Sequence, residues 1–385
     1  MPAGTHAALI LAAGFSTRMR SGFKPLLPIP FADGRRSALE ALARLYIEAG
    51  VPRILVVSGQ RQGEAIAADA ARLGLAHARN PDAERGMFSS IRVGLEALGL
   101  SHRGCFVHPV DVPLVRACVL RALLARNRDC PEVVLIPTFK GEEGHPPLLP
   151  ATHVPAILAW SGQDGLRGVL RALPCCPTPV ADGSILLDMD TDEDHADVCR
   201  RAARRHILEP EEAYELLRCR NIGPRGMAHA RAVGCVARHF ADACNAAGRS
   251  LDPDMAEAGG LLHDLCKGEP QHERAAGREL RALGLPAMAR LVEEHRDCAL
   301  AEDAPVTEKE LVYLADKYVY GDRLVDVRTR FGQKLTLFAQ DAEAGAAIRG
   351  RLARAEAMEL RLRKECGKAP LELARAALAE PEREQ

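Results

Sequence analysis

Two groups of residues in this 385-residue sequence have the types and spacing that phosphate chemistry needs. The first is Leu9-Ile10-Leu11-Ala12-Ala13-Gly14-Phe15-Ser16-Thr17-Arg18-Met19, with Lys24 close behind. An apolar run gives way to a small-residue turn and then to basic residues. Small side chains let a backbone approach a base or phosphate closely, and free N–H groups in such a turn bind anion oxygens. Arg18 and Lys24 supply the cation pair that transfer from a nucleoside triphosphate demands. The turn is not a GxGxxG fingerprint, and it lacks the Gly-Lys-Ser/Thr ending of a Walker loop. Taken alone it is also compatible with an ordinary strand–helix turn carrying two solvated bases.

Carboxylates accompany this turn. Asp111 closes an apolar strand and precedes Val-Pro, and Asp188 and Asp190 follow the run Ile185–Leu187. Carboxylates converging on one sheet edge suit Mg²⁺, which keeps several waters and bridges phosphate oxygens. Alternate residues of a strand share a face, so Asp188 and Asp190 are expected to point together. Asp111 is the favoured ligand, and Asp188 is slightly preferred to Asp190. The alternative is that Asp190 or Asp192 merely caps the helix that follows.

The second group lies on expected helices. His229 comes early on one, His263-Asp264 ends another, and Asp316 lies on a later one. Neighbouring helical residues point about 100° apart, so His263 and Asp264 can share a metal only at a helix edge. Mixed His and carboxylate ligands suit Fe, Mn, Zn or Co and permit activation of a water. His272 and His295 are candidates for a second metal, and Lys267 for neutralising a phosphate. His206 and His239 take the bland reading.

The elements that must position these residues change character near residue 205. Before it, short apolar runs at Ala7–Ala13, Arg53–Ser58, Gly104–Pro109 and Val133–Pro137 alternate with helical stretches such as Ser37–Ala49, Gly63–Leu73 and Met87–Leu98. Such alternation implies an α/β doubly wound sheet with its site at the carboxyl ends of the strands. Beyond it the strands stop, and residues 210–365 read as successive helices punctuated by Gly and Pro. The expected domains are therefore 1–205, α/β, and 206–385, all-α. The tail after Gly367 reads as a packing or dimer helix, which leaves a homo-oligomer open.

The first domain resembles the MobA-like nucleotidyltransferases, among them the molybdenum-cofactor cytidylyltransferases. The resemblance rests on ordered landmarks over residues 6–200. They are LAAGFSTRM with Lys24-Pro25-Leu26-Leu27, Asn80 before Arg85-Gly86-Met87-Phe88-Ser89-Ser90, His108-Pro109-Val110-Asp111-Val112-Pro113, Gly144-His145-Pro146-Pro147, Gly162-Gln163-Asp164-Gly165 and Asp188-Met189-Asp190-Thr191. The resemblance implies that Leu11, Ala12, Ala13, Gly14, Asn80, Gly86 and Ser89 bind the nucleotide. It also implies that the Ala12-Ala13-Gly14 form goes with CTP, guanine-using relatives tending to carry an extra glycine. Arg20 stands where many relatives have glycine, and His145 where asparagine is common. The second domain resembles the HD phosphohydrolase superfamily over residues 211–332, through His229, His263-Asp264-Leu265-Cys266-Lys267, His272, Gly277, His295 and Leu314-Ala315-Asp316-Lys317. That resemblance implies metal ligation by His229, His263, Asp264, His272, His295 and Asp316, with Asp264 and Lys267 in catalysis.

Composition narrows the partners. A net charge of −1 and 4% aromatic residues offer neither a global field nor a stacking surface for nucleic acid. No apolar run reaches membrane-spanning length. Twelve cysteines without a CxxC pair read as reduced thiols, so a cytoplasmic location is expected. The expected activity is transfer of a nucleotide, CMP from CTP or another NTP, to a phosphorylated acceptor such as molybdopterin, fused to a phosphohydrolase. Two alternatives are a sugar- or alditol-phosphate acceptor and a helical domain that only senses a nucleotide or metal.

Overall fold

The computed structural model describes residues 5–16, 18–295 and 304–379. The chain divides into two compact units, Met1–Arg205 and His206–Gln385. In the first, strands β1 (Ala7–Ala12), β4 (Arg53–Ser58), β5 (Ala76–Arg79), β6 (Gly104–Pro109), β7 (Val134–Phe139), β9 (Leu148–Pro150) and β10 (Cys175–Pro179) form one sheet. Their order is β10-β7-β9-β6-β1-β4-β5, and β8 (Glu142–Glu143) pairs with β7. A separate hairpin, β2 (Pro28–Phe31) with β3 (Gly34–Ser37), follows the basic turn. Helices α1 (Ala38–Glu48), α2 (Gly63–Arg72), α3 (Met87–Leu98), α4 (Ala117–Asp129), α5 (Val154–Ala159), α6 (Gly165–Leu170) and α7 (Asp192–Ala203) complete the unit.

β1 pairs parallel with β4 on one side and β6 on the other. It is buried on both faces, which is why its sequence is a continuous apolar run. Ala8, Ile10 and Ala12 enter one core layer, and Ala7, Leu9 and Leu11 enter the other. After β5 the chain crosses back over β1 to reach β6. The strand order therefore reverses between β1 and β6, and a crevice opens beyond their carboxyl ends. The sheet is not purely parallel: β9 runs antiparallel between β6 and β7, and β8 runs antiparallel to β7.

The second unit contains α8 (Pro210–Cys219), α9 (Pro224–Ala246), α10 (Pro253–Leu262), α11 (His272–Ala282), α12 (Pro286–Glu293), α13 (Glu308–Tyr318), α14 (Val327–Leu337), α15 (Ala342–Cys366) and α16 (Pro370–Ala379). Local signals set their ends. Asp252 caps α10, Thr307 and Glu310 form a capping box on α13, and Gly367 ends α15 in the left-handed region. The unit is helical, as the run of helices over residues 210–365 leads one to expect, with one small addition: a hairpin of two-residue strands, β11 (Val319–Tyr320) with β12 (Arg323–Leu324), follows α13. α16 buries Leu373, Ala374 and Ala377 and packs on α9, as a packing helix does. Among the described residues no helix is long and apolar enough to cross a membrane.

Candidate functional site

The cleft of the first unit lies at the point where strand order reverses. β1 ends at Ala12, and the chain then loops through Gly14 and Ser16 to the turn that begins at Lys24. Ser16 adopts a left-handed backbone, φ 48°, uncommon for a residue with a side chain. Its hydroxyl accepts from the Lys24 N–H at 3.3 Å, closing the loop on itself. Gly59, at the end of β4, lies beneath this turn. A Cβ there would fall 2.8 Å from the Ala13 carbonyl oxygen, so only glycine lets the loop sit so low. The resulting cleft, about 370 Å³, is lined by Leu11, Ala13, Gly14, Arg18, Lys24, Gly86, Ser90, Asp111 and Asp190, among others. That volume suits a ligand of nucleotide size. The amino end of α3, with Gly86 as its N-cap, also opens here, so unpaired N–H groups and the helix dipole favour an anion.

Asp111 lies two residues beyond β6, on a turn braced from within. His108 Nε2 donates to the Val112 carbonyl at 2.9 Å, which leaves Nδ1 to accept from the Tyr46 hydroxyl at 2.9 Å. Burial holds His108 at about 3, so it stays neutral in this bracing role. Lys24 Nζ stands 3.3 Å from Asp111 Oδ2 and pairs with Asp190, which also pairs with Arg18. Burial, then Asp190 and Asp111, push the Asp188 carboxyl above its ordinary range. Three carboxylates thus crowd one edge, a donor set of hard oxygens that a divalent cation would relieve.

In the second unit, α9 and α10 cross with glycine against glycine. A Cβ on Gly260 would lie 2.7 Å from Gly234 Cα, and the close approach brings the His229 and His263 rings to 5.2 Å. Asp264 follows His263 just beyond α10 and sits among the histidines. Its Oδ2 is 3.4 Å from His263 Nε2 and 3.8 Å from His229 Nε2. Its Oδ1 is 3.4 Å from His272 Nε2 and 4.0 Å from His295 Nε2. Asp316 Oδ1 is 3.6 Å from His229 Nε2.

Three of the rings are oriented alike. Nδ1 of His229, His263 and His295 bonds to the carbonyls of Gly321, Gly260 and Val292 at 2.8, 2.7 and 2.6 Å. A carbonyl accepts only, so Nδ1 carries the proton and each Nε2 lone pair is left for a cation. His263 Nε2 is buried and makes no hydrogen bond. Burial lowers the His263 imidazole, but Asp264 and Asp316 outweigh it and the net shift is upward, so the centre attracts positive charge. Burial and His263 hold His295 down at about 4. Two ligand groups emerge, His229–His263–Asp264 and Asp264–His272–His295, each with donor atoms within 4.8 Å of one another. These residues fit one divalent metal, or two bridged by Asp264.

Residues 8–176 match the family described as MobA-like NTP transferase domain, and residues 226–321 match the HD domain. The chain thus carries a MobA-like NTP transferase domain followed by an HD domain. Both parts belong to enzyme families, the second being a phosphohydrolase domain. The molybdenum cofactor cytidylyltransferase of Escherichia coli is 25% identical over 186 residues, 48% of this chain and 91% of that protein. Among solved structures, Rv0371c of Mycobacterium tuberculosis is similar at 26% identity and a TM-score of 0.43, over 52% of this chain and 100% of that one. A nucleotidyl transferase from Methanothermobacter thermautotroptrophicus has 19% identity and a TM-score of 0.45, over 52% and 99%.

Most residues singled out in the transferase sequence reach the cleft, but Ala12, Asn80, Ser89 and Asp188 do not line it. Ala12 points into the core, because it alternates with Leu11 on a two-sided strand. Asn80 is buried, and its amide donates to Ser89 Oγ and Ser90 Oγ at 2.8 and 2.9 Å. Ser89 in turn donates within its own turn, to the Asp82 and Gly86 carbonyls, so Ser90 rather than Ser89 lines the cleft. Residues Ile185–Leu187 do not form a strand. The segment is a 3-10 turn, Gly183–Leu186, so no strand alternation sets Asp188 and Asp190. Asp190 lines the cleft, whereas Asp188 is exposed at its edge. Neither Asp190 nor Asp192 caps α7, since Thr191 and Asp194 form that cap.

In the HD domain all six expected ligands converge, and Lys267 pairs with Asp264 Oδ2 at 2.5 Å. Sequence reasoning missed Arg330 of α14, whose Nη2 lies 3.4 Å from Asp316 Oδ1, and gave no role to Lys317, 2.7 Å from Oδ2. Burial pushes Asp316 up, but Lys317 and His229 pull it well below the usual carboxylate range. It is therefore ionised and ready to ligate.

Proposed function

We propose that the transferase domain moves CMP from CTP to a phosphorylated acceptor of the molybdopterin type, and that the HD domain is a metal-dependent phosphohydrolase. The observation that carries the first part is Lys24, held between Asp111 and Asp190 at the β1/β6 crevice. Support for the cytosine preference comes from Ala13 at the cleft wall and from the similar cytidylyltransferase.

In this reading an acceptor phosphate oxygen attacks the α-phosphorus, a new P–O bond forms, and the bond to pyrophosphate breaks. Lys24 and Arg18 turn from Asp190 to the phosphate oxygens and stabilise the charge that grows there. Asp111 with Asp188 or Asp190 would hold Mg²⁺, which would supply further neutralisation when bound. The amides at the start of α3 orient the anion without reorganising.

For the HD domain, the carrying observation is the shared orientation of three histidines around Asp264. A divalent Fe, Mn, Zn or Co ion held there supplies water activation. Asp264 and Asp316 hold the charge of the centre, while Lys267, the exposed partner of Asp264, is placed to meet a phosphate. A sensing domain has no need of this polarised set, so the hydrolase reading is preferred.

The test is pyrophosphate release from CTP, GTP, ATP and UTP, with molybdopterin, the molybdenum cofactor and sugar phosphates as acceptors. CTP with a molybdopterin-type acceptor should be fastest. A sugar phosphate turned over faster than every pterin would overturn the acceptor assignment.

A further inference from the structure

The loop that bears Arg18 and Lys24 is fastened at a point that takes no part in the cleft. Asp192, the first residue of α7, does not line the cleft and does not cap its helix, since Thr191 and Asp194 do that. Its carboxylate is directed instead at the loop. Asp192 Oδ1 accepts from the Ser21 hydroxyl at 2.6 Å and from the Ser21 N–H at 3.1 Å. Asp192 Oδ2 accepts from the Arg20 N–H at 3.3 Å. Two consecutive backbone amides and a hydroxyl are thus held on one side chain, midway between Arg18 and Lys24.

The two cations themselves are tied differently. Both pair with Asp190, two residues before Asp192. A triphosphate must draw them away from Asp190, so those pairs are spent when the nucleotide binds. The bonds that Asp192 accepts come from two backbone amides and the Ser21 hydroxyl, none of which lines the cleft, and need not break. The turn that carries both aspartates is itself rigid: Asp194 accepts from the N–H groups of Asp190 and Thr191 at 3.2 and 2.8 Å. We infer that Asp192 is a positioning residue for the phosphate loop, holding Arg20 and Ser21 so that Arg18 and Lys24 keep their places while they change partners. The hold acts on the amide of Arg20, so it does not depend on glycine at that position. Fixing the loop beforehand removes ordering cost from nucleotide binding. The inference rests on the reading of this loop as a triphosphate cradle.

The probes are Mg-pyrophosphate, common to every nucleotide, and MgCTP, titrated against the full chain and its variants. Asp192→Ala should weaken both by about tenfold, the order expected for losing charge-assisted hydrogen bonds that are partly screened by solvent. Asp192→Asn keeps one acceptor oxygen and should stay within about threefold of native. Amide hydrogen exchange should show Arg20 and Ser21 protected in the native chain and unprotected in Asp192→Ala, with the melting temperature unchanged. Native binding by Asp192→Ala, or equal losses in Ala and Asn variants matched by a fall in melting temperature, would overturn the inference. So would free exchange of both amides in the native chain. If the native chain binds neither probe, the cradle reading is what fails, and the exchange data still decide whether Asp192 holds the loop.

Discussion

Gly234 and Gly260 meet backbone to backbone where the helices carrying His229 and His263 cross. A Cβ at Gly260 would lie 2.7 Å from the Gly234 Cα and 2.9 Å from its nitrogen, atoms that cannot swing aside. Gly260→Ala should therefore part the helices, destabilise the domain by about 1–3 kcal/mol and release metal. Thermal unfolding and metal content of the purified variant check this. Native values for both would show that the crossing tolerates a methyl group.

Metal removal should be felt in stability as well as activity. The buried Nε2 of His263 has no hydrogen bond, and Asp264 and Asp316 are ionised beside it. A ligand present at about a hundred times its dissociation constant stabilises by roughly 2.7 kcal/mol. Chelation should lower the midpoint of helix unfolding, and Mn²⁺, Fe²⁺, Zn²⁺ or Co²⁺ should restore it. An unfolding curve indifferent to chelator would count against a metal centre.

Nucleotide choice should respond to Ala13, which lines the cleft beside Gly14. The native chain is expected to prefer CTP to GTP, and Ala13→Gly to narrow that preference by making room at the wall. Catalytic efficiencies for the two nucleotides decide the matter. Equal efficiencies in the native chain would remove the basis for a cytosine pocket.

Asp111 is the carboxylate that the braced turn presents to Lys24. Asp111→Ala should cut nucleotidyl transfer by roughly a hundredfold or more, the usual loss on removing a charge-stabilising group. The far-UV spectrum should stay native. A variant within about threefold of native would show that Asp111 does not serve the reaction.

The sequence revealed what depended on local pattern. β1, β4 and β6 were legible as apolar runs because both faces of each are buried. The histidines were legible because their helices begin and end on clear Gly, Pro and capping residues. β10, Cys-Cys-Pro-Thr-Pro, was hidden because its two prolines argue against a strand, and proline is tolerated chiefly at a sheet edge such as the one it occupies. β9 is too short at three residues to show a period. Asp190 was undervalued because its neighbours in space, Arg18 and Lys24, are more than 160 residues away in sequence. Gly234 and Gly260 gave no signal, since a glycine acquires meaning only from the helix that packs against it. Asn80 and Ser89 were assigned to the nucleotide, but their hydrogen bonds go to their own turn and to Ser90, and Ser90 is the one that lines the cleft.

The central claim is that one chain carries two separable chemistries. The most direct measurement is nucleotidyl transfer and phosphohydrolase activity side by side, on the native chain and on Asp264→Ala, with bis-p-nitrophenyl phosphate as the ester and metal content determined in parallel. Asp264 touches both groups of histidines, so its loss should abolish hydrolysis and deplete the metal. Every residue that lines the transferase cleft lies before residue 205, so transfer should remain near native. Loss of transfer in a folded Asp264→Ala chain, or a native chain that holds no metal and hydrolyses no phosphate ester, would contradict the account.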